Sequence, residues 1–259
     1  MPYRFALEHH DYSDYSGGRV FYSLPGQPAF PVRLASEIFQ RCLAIRQDGG
    51  LAAPCAVYDP CCGGAYHLAA LAYLHWQVIA KIVASDIDAA ALGLARRNLS
   101  LLTLAGLDQR AAEITAYIDL YGKPSHVAAL QSAARLKQAL VKQIEQHPLE
   151  TRLFLADALD GGALRQGLAG QTIDIVLTDI PYGQKTSWTL LEGEDEDSHS
   201  PVWRMLEALL GVLSLHSLVA VASDKQQKIS HTRYQRLEKF QLGKRQVIIL
   251  KPNPPKFGE

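Results

Sequence analysis

Apolar positions after Pro31 recur at helical spacing. Val32, Ala35, Ile38, Phe39 and Cys42 fall on one side of a 3.6-residue turn, which predicts a helix from about Pro31 to Arg46. From Pro54 the rhythm changes. The run CAVYD predicts a short strand, PCCGG a turn, AYHLAALAYLHW a helix, KIVASD a second strand, and a further helix opens near Asp88. The third strand is delayed by helix-favouring sequence from Leu107 to Glu150, expected to be a helical insertion broken at Gly122, Lys123 and Pro124, with Ser125 capping its second half. The alternation then resumes with TRLFLAD, a helix near Ala163 to Leu168, the apolar strand IDIVLTD, a helix from about Pro201 to Leu213, and the strand SLVAVAS. Two β-rich segments, Leu237 to Phe240 and Gln246 to Lys251, close the chain. About seven strands result, the last two spaced for an antiparallel pair. This order predicts an α/β, doubly wound, mostly parallel sheet with helices on both faces and ligands at the carboxyl ends of its strands.

Composition narrows the class. The chain has 259 residues, 48% of them hydrophobic and 20% charged, which excludes a disordered chain and suits a single domain, residues 1–50 forming an N-terminal arm and helix and residues 107–150 the insertion. Basic and acidic residues balance at 26 each, against the strong basic excess of a nucleic-acid-coating protein, but the balance is uneven along the chain. From Ser223 onward bases exceed acids by six, whereas Glu192 to Asp197 holds five acids in six positions. The basic end is either a phosphate-attracting surface or a solvated face. Cys42, Cys55, Cys61 and Cys62 lack the CxxC spacing of a zinc site, and adjacent Cys61 and Cys62 are expected to point apart, so no metal is expected. The opening residues lack a signal-peptide pattern, and the stretch from Leu206 to Ala222 is too short and too interrupted for a membrane span. A cytoplasmic monomer is expected.

Four clusters carry candidate chemistry. In DPCCGGAYHL, Asp59 ends a strand, Gly63 and Gly64 let the backbone approach a ligand, and the next helix presents its first amides. Asp86 ends the following strand 27 residues on, the separation one βαβ unit imposes, where a carboxylate can accept both ribose hydroxyls of a nucleoside; Asp88 is more simply a helix cap. Asp157, within LADALD, is placed to meet an adenine amino group or to cap a helix. The fourth is TDIPYG. There Asp179 offers an acceptor, Pro181 removes a donor and fixes φ, and Tyr182 offers a flat face for an extruded base.

Taken in order, these residues resemble class I S-adenosylmethionine-dependent methyltransferases with a D/N-P-P-Y type loop. DPCCGG is similar to their D-P-x-C-G-S-G cofactor loop and TDIPYG to their catalytic loop, with Ala65 where the last glycine usually stands and Ile180 replacing the first proline. PAFPVRLASEIFQR, DPCCGG, ASDID, GKPS, LTDIPYG and LEKFQLGKR together resemble the avilamycin-resistance rRNA methyltransferase family over nearly the whole chain. The resemblance implies a Rossmann-like fold, S-adenosylmethionine as cofactor, and methylation of a 23S rRNA guanine at ring nitrogen 1 or the exocyclic amino group, with resistance to an orthosomycin antibiotic. Asp179, Pro181 and Tyr182 would then be catalytic. Asp59 and Gly63 would line the methionine side, Asp86 the ribose and Asp157 the adenine, with Cys61 and Gly64 also binding the cofactor, while Arg33 would reach the cofactor carboxylate or an RNA phosphate. The insertion and the basic end, including Tyr234 and Phe240, are candidates for RNA contact, although both aromatics fit a core better. A methyltransferase acting on tRNA, DNA or a protein glutamine is the alternative, as is a non-catalytic nucleoside-binding module with a cofactor loop impaired at Ala65.

Overall fold

Residues 3–7, 11–23, 30–51, 54–180 and 200–254 are described by a computed structural model. Helix α1 (Val32–Asp48) precedes the alternating series β1 (Cys55–Asp59), α2 (Tyr66–His75), β2 (Ile79–Asp86) and α3 (Ala89–Ser100). Helices α4 (Leu104–Tyr121) and α5 (Pro124–Gln146) follow, then β3 (Glu150–Leu155), α6 (Gly161–Leu168), β4 (Ile175–Asp179), α7 (Pro201–Leu210), β5 (Leu218–Asp224), β6 (Tyr234–Leu242) and β7 (Arg245–Pro252). The strands form one sheet in the order β3-β2-β1-β4-β5-β7-β6. The first five pair in parallel, and β7 pairs antiparallel with both β5 and β6. The chain lays down β1, β2 and β3 in one direction, then returns to place β4 on the other side of β1. A crevice opens at that reversal, at the carboxyl ends of β1 and β4.

Alternation along the central strands divides the core in two. Val57, Ala84, Leu177, Ala222 and Val247 join residues of α1 to α5 on one face, while Tyr58, Val83, Val176, Val221 and Ile248 pack with α6 and α7 on the other. The adjacent cysteines part as expected, Cys62 entering the first cluster and Cys61 packing against the second. Tyr234 is buried with its hydroxyl donating to the Leu206 carbonyl at 2.9 Å, and Phe240 packs on the core under the Arg41 guanidinium, so both aromatics are structural.

Several boundaries differ from the sequence pattern. The inserted hairpin begins at Leu104, because the Thr103 hydroxyl accepts from the Gly106 N–H at 3.1 Å and starts α4 there. Gly122, at φ +60°, ends α4, and Pro124 opens α5 after Lys123, which displaces Ser125 from the cap position. Asp160 caps α6 two residues earlier than expected, and β3 stops at Leu155, leaving Asp157 beyond the strand. Asp88 caps α3 through the Ala90 N–H at 2.8 Å.

Two buried polar side chains fasten the N-terminal segment. Glu37 accepts the N–H groups of Arg4, Phe5 and Ala6 at 2.6, 2.9 and 2.8 Å and pairs with Arg41 at 2.7 Å; against the upward push of burial, these donors hold its carboxyl below the usual range. Asn98 of α3 accepts from Tyr22 N–H at 2.8 Å and donates to the carbonyls of Tyr22 and Gly64, at 3.0 and 2.8 Å, joining the segment to the loop after β1. Asn98→Ala strands one amide and two carbonyls. It should cost about 2 to 4 kcal/mol in urea unfolding, and a loss under about 1 kcal/mol would mean that water replaces the amide.

Candidate active site

Strand register brings the acidic residues together. Asp59 lies level with Ala84 on β2, and Val57 with Ile175 on β4, so Asp86 and Asp179 each reach two residues beyond the level of Asp59. Each follows, by two positions, a residue of the first core cluster: Val57 before Asp59, Ala84 before Asp86 and Leu177 before Asp179. By the two-residue period of a strand, all three carboxylates lie on the face covered by α1 and α2.

The loop after β1 is assembled on these carboxylates. Asp59, fully buried, accepts the Cys61 N–H at 2.9 Å; the Cys62 N–H donates to the Ser85 carbonyl at 2.9 Å, and the Gly63 N–H to Asp86 Oδ2 at 2.7 Å. The other Asp86 oxygen takes the Asp88 N–H at 3.0 Å. Burial pushes the Asp86 carboxyl above its ordinary range against the pull of these two donors. Gly63 has φ +50° with open space where a Cβ would stand, while a Cβ on Gly64 would come within 2.6 Å of Leu94, so the second glycine serves close packing on α3. Ala65 adopts φ +51°, the left-handed conformation for which glycine is usual, and still closes the turn with its N–H on the Cys62 carbonyl at 2.7 Å. The alanine leaves the loop formed.

An imidazole and a guanidinium face the carboxylates. His67, in the first turn of α2, places Nε2 3.0 Å from Asp59 Oδ2 without hydrogen-bond alignment, and its ring meets Phe30 at 5.6 Å. Arg245 begins β7. Its place follows from pairing: Asp179 lies opposite Ala222, Ala222 opposite Val247, and Arg245 two positions nearer the carboxyl edge. Its guanidinium lies 5.5 Å from the Phe30 ring centre. Burial drives the Asp179 carboxyl up to about 6, and nearby Asp59 adds to the rise, while Arg245 and His67 draw it down. Among the described residues, Asp59 Oδ2, His67 Nε2 and Asp179 Oδ1 are buried without a hydrogen-bond partner. Such a concentration of unsatisfied polar atoms beside the crevice makes it the candidate binding or catalytic centre.

The structure thus brings together Asp59, Cys61, Gly63, Gly64, Asp86 and Asp179. Asp157 stands half-buried with Oδ1 on the Leu159 N–H at 2.9 Å, and its charge bears on the Cys61 thiol. Arg33 departs from expectation. Its Nε and Nη2 donate to the Ala6 carbonyl at 3.1 and 2.8 Å and its guanidinium covers the Tyr3 ring at 4.1 Å, so it is taken up by the N-terminal segment. Pro181 and Tyr182, with the acidic run from Glu192 to Asp197, lie outside the described residues. His67 and Phe30 went unnoticed in the sequence, and Arg245, counted there with the basic end, belongs to the crevice. The signal for His67 was its place in the first turn of the helix after Asp59, which returns it to the strand tip.

Comparison with known proteins adds a family. Residues 1–245 match the family model described as rRNA methyltransferase AviRa. The chain is 41% identical over 249 residues to the 23S rRNA (guanine(2535)-N(1))-methyltransferase of Streptomyces viridochromogenes, covering 96% of this chain and 95% of that one. Two solved structures of the rRNA methyltransferase aviRa from Streptomyces viridochromogenes superpose with TM-scores of 0.84 at 41% and 40% identity, each covering 97% of this chain and 96% of the other.

The raised Asp179 carboxyl has a consequence for stability. The folded form holds its proton up to about pH 6 while the unfolded chain releases it near 3.8, so this group's contribution is full below pH 3.8 and is lost as pH rises through about 6. Asp179→Asn removes that loss, which is on the order of 3 kcal/mol at pH 8. The variant should melt at or above the wild-type temperature at pH 8; a lower melting temperature there would mean that the ionised carboxylate stabilises the fold.

Proposed function

The chain belongs to the rRNA methyltransferase AviRa family, and from that premise we propose that it transfers a methyl group from S-adenosylmethionine to ring nitrogen 1 of a guanine in 23S rRNA. The observation that carries the reading is the buried, unpartnered Asp179 oxygen at the topological reversal, one strand from the loop built on Asp59 and Asp86. The relatives count against the tRNA, DNA and protein-glutamine alternatives, and the closed turn at Ala65 against a non-catalytic module. In this reading the whole chain acts as one domain, a monomer in the cytoplasm. Among the described residues no helix is long and apolar enough to cross a membrane, and no group of three or more His, Cys, Asp or Glu side chains could hold a metal.

The side chains suit the cofactor's chemistry. Asp59 presents an acceptor to a ligand bearing ammonium and sulfonium charge, the open space at Gly63 admits its methionine portion, and each Asp86 oxygen retains a lone pair for a ribose hydroxyl beside its backbone donor. Asp157 has a second oxygen for an adenine amino group. When bound, S-adenosylmethionine supplies an electrophilic methyl group on sulfur. The protein's part is to hold the guanine edge toward it and to receive a proton. Asp179 accepts the hydrogen bond from the N1–H and takes that proton as N1 gains its new bond to carbon. A carboxyl near 6 is a better acceptor than an ordinary aspartate yet too weak to ionise the base beforehand, so proton loss accompanies or follows methylation. Pro181 and Tyr182 would fix the ring plane. The exposed Lys225, Lys228, Arg236, Lys239 and Lys244, with Tyr117, Leu120 and Tyr121 exposed at the far end of the α4–α5 hairpin, offer RNA contacts.

Transfer of labelled methyl to 23S rRNA, compared with tRNA, DNA and bulk protein, tests the reading: label confined to 23S rRNA supports it, and label in another acceptor overturns it. Asp179→Asn should lower turnover by at least about 100-fold while cofactor affinity in calorimetry stays within about threefold. In the wild type, kcat/KM should fall tenfold per pH unit below about 6 and level off above it, because only the ionised carboxylate accepts a proton. Arg245→Gln should move that acid limb to higher pH; an unmoved limb would separate Arg245 from Asp179. Asp86→Ala should weaken cofactor binding by about 1 to 3 kcal/mol, and unchanged affinity would reassign the ribose contact.

A further inference from the structure

Arg33 was the expected partner of the cofactor carboxylate, and its engagement with the Ala6 carbonyl at 2.8 Å leaves that charge without a counterpart. The loop after β1 supplies one. His67 lies in the first turn of α2, and only 6% of its surface is exposed. Its ring rests at an angle against Phe30. Nε2 stands 3.0 Å from Asp59 Oδ2, yet the two are out of hydrogen-bond alignment, and among the described residues both atoms are buried without a hydrogen-bond partner. Burying two such atoms side by side and unsatisfied is costly, and a ligand that brings a partner to each removes the cost. The backbone around His67 favours the same kind of ligand. α2 spans ten residues, and its N-cap, Ala65, offers no side-chain acceptor, so its first amides receive no cap from it and keep their partial positive charge.

We infer that His67 binds the α-carboxylate of S-adenosylmethionine while Asp59 takes its α-ammonium, an inference that rests on the proposed cofactor. In an amino-acid zwitterion the two charged groups share one carbon, so their partners must be neighbours, as Nε2 and Oδ2 are. Asp59 Oδ1 accepts the Cys61 N–H, which leaves Oδ2 for the ammonium. Asp59 alone would repel a carboxylate. An imidazole N–H beside it and the first amides of α2 offset that repulsion and give the carboxylate its donors. Gly63, four residues before His67, adds room, since nothing lies within 4 Å of the place its Cβ would take. The other groups of the crevice do not serve. Asp86 and Asp179 are acceptors like the ligand carboxylate itself, and Arg245 bears on Asp179 at the tip of β4. His67 and Asp59 therefore hold the amino-acid end of the cofactor at β1, apart from the acceptor base at β4.

The test compares S-adenosylmethionine with its decarboxylated analogue, which keeps the ammonium and sulfonium charges, by calorimetry on the whole protein without RNA. The wild type should bind the intact cofactor about tenfold or more tighter, as expected for a hydrogen bond to a charged group. His67→Phe keeps a ring against Phe30 and removes both nitrogens. It should lose most of that ratio, with affinity for the analogue within about threefold of the wild type. His67→Leu also lacks a donor and serves if the first variant folds poorly. Arg33→Gln should keep the ratio. Equal affinity of the wild type for the two compounds, or an undiminished ratio in a folded His67 variant, would overturn the inference, and a ratio lost in Arg33→Gln would return the carboxylate to Arg33. If the wild type binds neither compound, the cofactor reading itself fails, a result distinct from all of these.

Discussion

Acidic side chains at the carboxyl ends of β1, β2 and β4 are drawn out of water onto one face of the sheet, and the site depends on how each is balanced. Asp59 and Asp86 are held by backbone N–H groups of the loop they organise. Asp179 has no such cradle among the described residues, and its Oδ1 stays unsatisfied in a low-dielectric setting. Burial then does two things at once. It raises the carboxyl to about 6, which makes the group a stronger proton acceptor, and it leaves Oδ1 without a hydrogen-bond donor. Arg245 and His67 limit the rise, so the carboxylate is still ionised near neutral pH.

Helix α1 and the N-terminal segment extend this logic beyond the sheet. Glu37 gathers three successive backbone amides, Arg33 grips the carbonyl of the same stretch, and Asn98 ties Tyr22 to Gly64. Phe30, just before α1, meets both His67 and Arg245. The segment preceding α1 is therefore mechanically joined to the loop after β1 and to the His67 and Arg245 side chains beside Asp179. Disturbing it reaches the crevice through packed contacts and hydrogen bonds, with no direct ligand contact required.

Much of this was legible in the sequence because strand ends are easy to read. Apolar runs that stop at Asp59, Asp86 and Asp179 fix both the strands and the side chains at their tips, and a single βαβ unit fixes their order. The antiparallel closing pair and the core placement of Tyr234 followed from spacing and aromatic character in the same way. Long-range pairing was not legible. Arg245 read as one charge in a basic tail because its neighbour in space, Asp179, lies 66 residues away and only the β4-β5-β7 register joins them. Arg33 read as a ligand because nothing local shows that Ala6 returns to it. Caps misled at Ser125, where Pro124 at the first helical position outweighs a serine one residue later. Ala65 shows the converse: a departure from the glycine pattern suggested an impaired loop, yet the backbone keeps the left-handed turn with alanine in place.

In the proposed role, the buried Asp179 carboxylate would direct methylation to the protonated ring nitrogen of guanine. Nucleoside mass spectrometry of 23S rRNA, digested after incubation with the protein and a deuterated methyl donor, addresses it most directly. Labelled 1-methylguanosine is the expected product; label recovered as N2-methylguanosine, or on any other nucleoside, would rule out that role for Asp179.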